Sequence, residues 1–192
     1  MVRRLCLIVL LALGGCNLAV SDHPMFSSAE RLATPLKDGP WVADVPDCKF
    51  NVDSPKTGWP KCALWTVVSD NKMVDVSGDK DEDRPAGFLI VGGQPPIVQI
   101  DMLENGKHGF LFIAIEPTSK PPSGPITTLN IWGVTCGRQN DPVDSRQGVS
   151  PFPGFNKECQ PQTAAALRAA AVASRPKSGE ITRMKWVRKE SR

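Results

Sequence analysis

The sequence has few of the residues from which catalytic sites are built. It contains no tyrosine and only two histidines, His23 and His108. The Gly-x-Ser-x-Gly motif of a hydrolase nucleophile is absent, as are the glycine-rich motifs Gly-x-x-x-x-Gly-Lys-Ser/Thr and Gly-x-Gly-x-x-Gly that bind nucleotide phosphates. His108 lies in a glycine-flanked turn, Asn105–Gly109, so we expect a solvated loop residue rather than a base. The sequence therefore predicts no catalytic residue and no cofactor.

The sequence also lacks an apolar run long enough to cross a membrane as a helix. Leu5–Leu13 is apolar over nine residues, whereas a spanning helix needs about 20. Nine residues do fit the hydrophobic region of a signal peptide, which is about 7–15 residues long. Two arginines precede this run and two glycines follow it, as is typical of such a peptide. We therefore expect residues 1–15 to be a signal peptide.

Leu13-Gly14-Gly15-Cys16 resembles the lipobox of bacterial lipoproteins, a leucine and two small residues followed by cysteine. The resemblance covers residues 1–16 and implies that Cys16 is lipidated and becomes the first residue of an exported protein. It implies a cell-envelope location with a lipid anchor in a membrane, and Asn17 favours the periplasmic face of the outer membrane. An ordinary cleaved signal peptide is the alternative. The exported domain itself resembles only uncharacterised proteobacterial lipoproteins.

The charge of the exported chain gives no support for nucleic-acid binding. Without Arg3 and Arg4 the 23 basic side chains fall to 21 against 20 acidic ones, a net charge of +1. A nucleic-acid-binding domain typically shows a strong basic excess. The 177 residues that remain of 192 fit one domain.

Four cysteines remain in the exported chain once Cys6 is removed with the signal peptide and Cys16 is lipidated. An even number in an exported protein indicates disulfides. No Cys-x-x-Cys pair is present, which argues against zinc, and we expect no metal site. Four cysteines allow three pairings, of which the sequence favours Cys48–Cys62 and Cys136–Cys159, because both intervening segments are rich in turn residues.

The pattern of turn residues predicts a tether followed by one domain. Residues 16–40 are polar and proline-interrupted, and we expect a lipidated N-terminus and tether there. Residues 41–192 are expected to form a single disulfide-stabilised β-rich domain. Hairpin patterns join 63–68 to 73–77 and 88–91 to 97–102. The apolar run 109–115 is expected as a central, covered strand.

The C-terminal part of the chain adds further elements to this domain. Residues 127–134 predict another strand, and the alanine-rich segment 163–173 predicts a helix because alanine has the highest helix propensity. Residues 181–187 predict a last strand, whose interspersed lysines and arginines favour an edge position. The fold class is therefore mainly β, an antiparallel sheet or a small sandwich or barrel of hairpins, with one C-terminal helix.

Five tryptophans are candidates for ligand or partner contacts, since tryptophan is enriched at such surfaces. We expect Trp65 and Trp132, which lie in strand patterns, to be core residues. Trp59 and Trp186 are the candidate partner contacts, Trp59 as an exposed side chain. A weak calcium site in Asp79–Asp83 is disfavoured, because only half of an EF-hand pattern is present.

These observations favour a non-catalytic cell-envelope lipoprotein that contacts another envelope component, either a protein or a glycan. Two other functions stay open. One is an envelope hydrolase with His108 in its site, and the other is an inhibitor of a secreted enzyme that presents a disulfide-held loop.

Overall fold

The computed structural model describes residues 17–33, 35–55, 58–75, 85–104, 106–119, 124–137, 151–177 and 181–187. Within them lie nine strands: β1 (Val20–Ser21), β2 (Gly39–Ala43), β3 (Thr66–Ser69), β4 (Lys72–Asp75), β5 (Ala86–Val91), β6 (Ile97–Glu104), β7 (Lys107–Pro117), β8 (Thr128–Gly133) and β9 (Thr182–Trp186). They also contain one α-helix, α1 (Ala164–Ala173), and two single 3-10 turns, Ser28–Glu30 and Lys61–Ala63.

Strands β2 to β9 form a closed antiparallel barrel in which each strand pairs with the next along the chain. The barrel closes where β9 pairs with β2. The short strand β1 pairs with the part of β7 that β8 does not reach, with Val20 opposite Leu111. The expected mainly-β fold with one C-terminal helix is thus confirmed. Of the sheet, sandwich and barrel that the sequence left open, the structure is a barrel. A closed barrel has no exposed edge strands.

Tight turns set the register of the sequential hairpins. Between β3 and β4, Asp70 and Asn71 adopt left-handed backbone angles, with φ of 49° and 58°. Two positive φ values in a two-residue loop match the strand twist of a hairpin, and Asn and Asp tolerate them best. The β5–β6 hairpin expected from the sequence is also present, with Ile90 opposite Val98.

Alternation along the strands separates an inner core from the outer surface. The residues that face inward form one cluster around the barrel axis. Its buried members are Trp41, Ala43, Val68, Phe88, Ile90, Val98, Ile100, Leu111, Ile115, Ile126, Leu129 and Met184. The barrel interior is therefore filled by side chains.

The opposite face of β5 to β8 is also apolar, and α1 covers it. Leu167 of the helix is fully buried, and Ala170 and Ala171 are 1% and 0% exposed. They pack in one cluster with Leu89, Val91, Ile97, Phe112, Ala114, Trp132 and their neighbours. This second layer explains why β7 is apolar on both faces, as the sequence pattern indicated.

Polar contacts fix the helix at both ends of this layer. The Trp132 indole N–H donates to the Ala171 carbonyl at 3.0 Å. Just after the helix, the Ser174 hydroxyl accepts from the Thr135 backbone N–H at 2.8 Å, and both residues are buried. Arg168 donates to the Gly92 carbonyl in the β5–β6 turn. The helix is consequently tied to both β8 and the β5–β6 hairpin.

The structure corrects the expectation of a tether over residues 16–40, because part of this segment packs on the barrel. Ala19 is fully buried and Phe26 is 4% exposed. The buried Gln99 side chain accepts hydrogen bonds from the backbone N–H groups of Met25 and Phe26. The prolines in this segment suggested a linker, but its few apolar residues dock on the barrel. The folded body therefore includes residues 17–33 and 35–40, and the boundary expected at residue 41 is wrong.

The position expected for the last strand is also wrong. β9 pairs on one side with β2 and on the other with β8, so it closes the barrel instead of forming an edge. Its basic residues lie outward, where Lys185 forms an ion pair with Asp44. This pair lowers the pKa of the Asp44 carboxyl, mainly through the hydrogen bond from Lys185. The charges reflect an exposed outer face rather than an exposed edge.

Candidate functional site

The N-terminal residues bind the barrel immediately after the expected lipidation position. Cys16 lies outside the described residues. The carbonyl of Asn17 accepts from the Cys136 N–H at 2.8 Å, and Ala19 N–H donates to the Val134 carbonyl at 2.7 Å. Val20 N–H donates to the Cys159 carbonyl at 3.2 Å. The chain is thus hydrogen-bonded to the barrel from Asn17 onward.

Two disulfides are present, Cys48–Cys62 and Cys136–Cys159. They have the sequence-local pairing that the turn-rich segments favoured. The Cα atoms of the two pairs lie 5.9 and 5.2 Å apart, within the usual range. The second disulfide joins the two residues whose backbones receive Asn17 and Val20, so it reinforces the N-terminal attachment.

Trp59 packs inside the loop closed by Cys48–Cys62. Its ring meets Phe50 edge-on at a centroid distance of 4.8 Å and Trp65 at 4.7 Å. Its indole N–H donates to the Ser54 carbonyl at 2.9 Å. Trp59 is therefore half-buried and supports the loop instead of standing exposed as expected. Trp65 and Trp132 are core residues, as predicted, with 4% and 3% exposure.

Trp186 lies at the end of the barrel where β2 begins and β9 ends, which we call the Trp186 end. Its indole N–H donates to the Asp38 carbonyl at 2.9 Å, and the Lys37 ammonium lies 3.8 Å from the ring centroid. Gly39 has a φ of 122°, and a Cβ there would meet the Trp186 Nε1 at 2.8 Å. The close approach of the Gly39 backbone to the indole therefore requires glycine. It holds the half-buried Trp186 beside the Lys37 ammonium.

A cavity of about 390 Å³ opens at the same end of the barrel. Residues Pro35 to Asp38 line one side of it, and Val68, Asn71 and Phe88 line another. A second cavity of about 300 Å³ shares Pro35 and Asn71 with the first. These volumes lie at the lower limit of small-ligand sites. The lining of the first cavity is mixed, with apolar side chains beside the charged Lys37, Asp38 and Asp70.

His108 lies on the outer surface of β7, so the loop position expected for it is wrong, whereas its exposure to solvent is as expected. Its Nδ1 is 2.9 Å from an oxygen of Asp101, and the two side chains are 66% and 43% exposed. Among the described residues the ring has no hydrogen bond to a serine or cysteine that it might activate. A hydrolytic site of the Ser-His-Asp type would need a nucleophile within hydrogen-bond reach of the imidazole. His23 forms a similar exposed pair with Asp22 and lowers the pKa of that carboxyl through a hydrogen bond.

The described residues offer no metal site. In them, no three His, Cys, Asp or Glu side chains come together in a way that could hold an ion. The calcium candidate Asp79–Asp83 lies outside the described residues. No helix in the described ranges has the length and apolarity to cross a membrane.

The sequence did not point to Lys37, Asp38 or Asn71 as parts of a candidate site. The first two were assigned to the tether, and Asn71 was interpreted only as a turn residue. A signal existed in Leu32 and Leu36, apolar residues in the proline-interrupted segment, which pack against the inner cluster. The site arises only when this segment crosses the Trp186 end of the barrel.

No protein-family model matches the chain, and neither a curated protein nor a solved structure matches it.

Proposed function

We propose that this chain is a non-catalytic cell-envelope lipoprotein, anchored through lipid on Cys16, that contacts another envelope component through the Trp186 end of its barrel. The observation that carries the proposal is the register of the lipobox with the charged and apolar regions before it. The two disulfides support export, because such bonds persist in oxidising compartments.

The contact surface is proposed from the features that converge at one end of the barrel. The Lys37 ammonium lies over the Trp186 ring there. Lys37 also lines the cavity of about 390 Å³. Half-buried tryptophan next to a cation and a cleft suits a glycan ring or an apolar anchor of a protein partner. The exposed pair of His108 and Asp101 supports the hydrolase alternative less well, because neither residue lines either of the two cavities.

The inhibitor alternative depends on the loop closed by Cys48–Cys62. An inhibitory loop has to present its side chains to the enzyme that it blocks. In this loop the largest side chain, Trp59, instead packs between Phe50 and Trp65. The packing favours a structural role for the loop.

Crosslinking in intact cells tests the proposal. A photoreactive amino acid replaces Lys72, which is exposed and adjacent to Asn71 at the cavity. The matched control replaces Leu103, which is 49% exposed on β6 near the opposite end of the barrel. We expect one dominant adduct from the Lys72 position and none from Leu103, with the adduct lost in Cys16→Ser because that protein is not anchored. Equal adducts from both positions would contradict the proposed surface.

A further inference from the structure

We propose that the folded body lies directly against the lipid surface, held there by Asn17–Ser21, with no flexible tether between lipid and barrel. This inference rests on the proposed lipidation of Cys16. The residues next to it in the sequence are not free: the Asn17 carbonyl and the Ala19 N–H are hydrogen-bonded to the segment that follows β8. Ala19 is fully buried.

The length of free chain decides how far the body can move from the membrane. Neighbouring Cα atoms are about 3.8 Å apart, so a lipid on Cys16 begins about one residue from the first bonded atom of Asn17. The headgroup layer of one leaflet is roughly 5–8 Å thick, from the total and hydrocarbon thicknesses of a bilayer. One residue cannot carry the barrel beyond that layer, and the surface around Asn17 consequently meets the headgroups.

The surface that would meet the lipid lies beside the second disulfide, and we call it the anchor surface (Asn17, Phe152 and Lys157–Cys159). The Cys136 half of this disulfide is buried. Cys136 and Cys159 are bonded to each other and receive the N-terminal strand on both sides. The Phe152 N–H donates to the Cys136 carbonyl at 2.6 Å. Lys157 and Glu158 are both exposed there, so their charges offset each other. The proposed contact therefore depends on the short connection to the lipid, and Lys157 serves as its reporter.

The same surface resists being pulled away from the lipid. Peeling Asn17–Ser21 off the barrel would expose Ala19 and the buried Ser21 and break the hydrogen bonds to Val134, Cys136 and Cys159. The disulfide prevents the two receiving segments from separating. The attachment thus fixes the orientation as well as the distance of the body, and the Trp186 end lies at the other end of the barrel from the end of β8 that receives the N-terminus.

Amine footprinting of the intact lipoprotein in vesicles tests this orientation. The lipidated chain is placed in vesicles of phosphatidylcholine and phosphatidylglycerol, whose headgroups carry no reactive amine, and is treated with an amine-reactive reagent. Labelling of each lysine is measured by mass spectrometry. We expect Lys157 to be labelled several-fold less than in the unlipidated Cys16→Ser protein. Lys72, at the Trp186 end, should be labelled equally in both.

A lipidated variant with a long Gly/Ser linker between Cys16 and Asn17 is the matched control, and Lys157 labelling should recover in it. If Lys157 is labelled equally with and without the linker, the proposed contact is wrong while lipidation stands. Rapid hydrogen exchange at the Ala19 amide in the vesicle-bound native protein would also overturn it, because the strand would then serve as a tether. A mature mass without lipid on Cys16 would overturn both this inference and the proposed function.

Discussion

The outer surface of the barrel is covered in two places, and the two covers bury different amounts of apolar surface. Beneath α1 and the N-terminal segment, fourteen buried residues of the described chain form one apolar cluster. Beneath the loop that joins β2 to β3, three described residues, Val42, Ala63 and Trp65, form the buried part of the cluster. The first cover can be stabilised by apolar burial, since each large side chain contributes roughly 1.5–3 kcal/mol.

The second cover has too little apolar surface to be held in the same way. Cys48–Cys62 closes the loop covalently, and the edge-on contacts of Trp59 with Phe50 and Trp65 fill the space beneath it. Each cover contains a disulfide, since Cys136–Cys159 belongs to the first. The comparison therefore shows a disulfide that supplements ample apolar burial under the first cover and one that compensates for little burial under the second.

Leu167→Ala tests the first cover and should have the largest effect. Leu167 is fully buried between α1 and the sheet, and a leucine-to-alanine change in such a place costs about 2–5 kcal/mol, because a cavity remains. Denaturant unfolding of the oxidised protein measures the loss. Val172→Ala on the same helix is the matched control, since Val172 is 58% exposed. Equal losses in the two variants would show that the helix does not depend on burial.

Cys48→Ala combined with Cys62→Ala tests the second cover. Removing the closure of this loop should lower the free energy of unfolding by up to about 3 kcal/mol in the chain-entropy model. We also expect the Trp59 indole N–H, bonded to Ser54, to exchange faster with solvent while the Trp132 indole N–H stays protected. Hydrogen exchange followed by NMR separates the two tryptophans. Unchanged protection of Trp59 would mean that packing alone holds the loop.

The two covers also differ in how far the sequence predicted them. Alanine-rich residues 163–173 and the alternation of the hairpins identified α1 and most of the barrel strands, because propensity and period are local signals. The N-terminal part of the first cover was missed, since Ala19 and Phe26 are isolated apolar residues among prolines. Their burial depends on Gln99 and Val134, which lie far away in the chain.

Dependence on residues far away in the chain also explains why the sequence misplaced β9 and did not point to Lys37 and Asp38. The basic residues of β9 are compatible with either an edge strand or an exposed outer face, and only its pairing with both β2 and β8 decides between them. The sequence pattern singled out Trp186 as a candidate contact, but it did not point to its neighbours Lys37 and Asp38. Barrel closure brings these residues together, and no local sequence pattern indicates how the barrel closes.

His108→Ala tests the uncovered part of the outer surface and should have the smallest effect. The His108 ring is 66% exposed and touches Asp101 through one hydrogen bond. An exposed pair of this kind contributes little, so the free energy of unfolding should change by less than about 0.5 kcal/mol. Asp101→Asn is the control for the pair and should behave alike. In cells, both variants should keep the crosslink formed at position 72 and should support growth as well as the wild-type protein does. Loss of function in His108→Ala, with folding and the Lys72 crosslink intact, would instead favour the envelope hydrolase, because neither packing nor the proposed contact would then account for the loss.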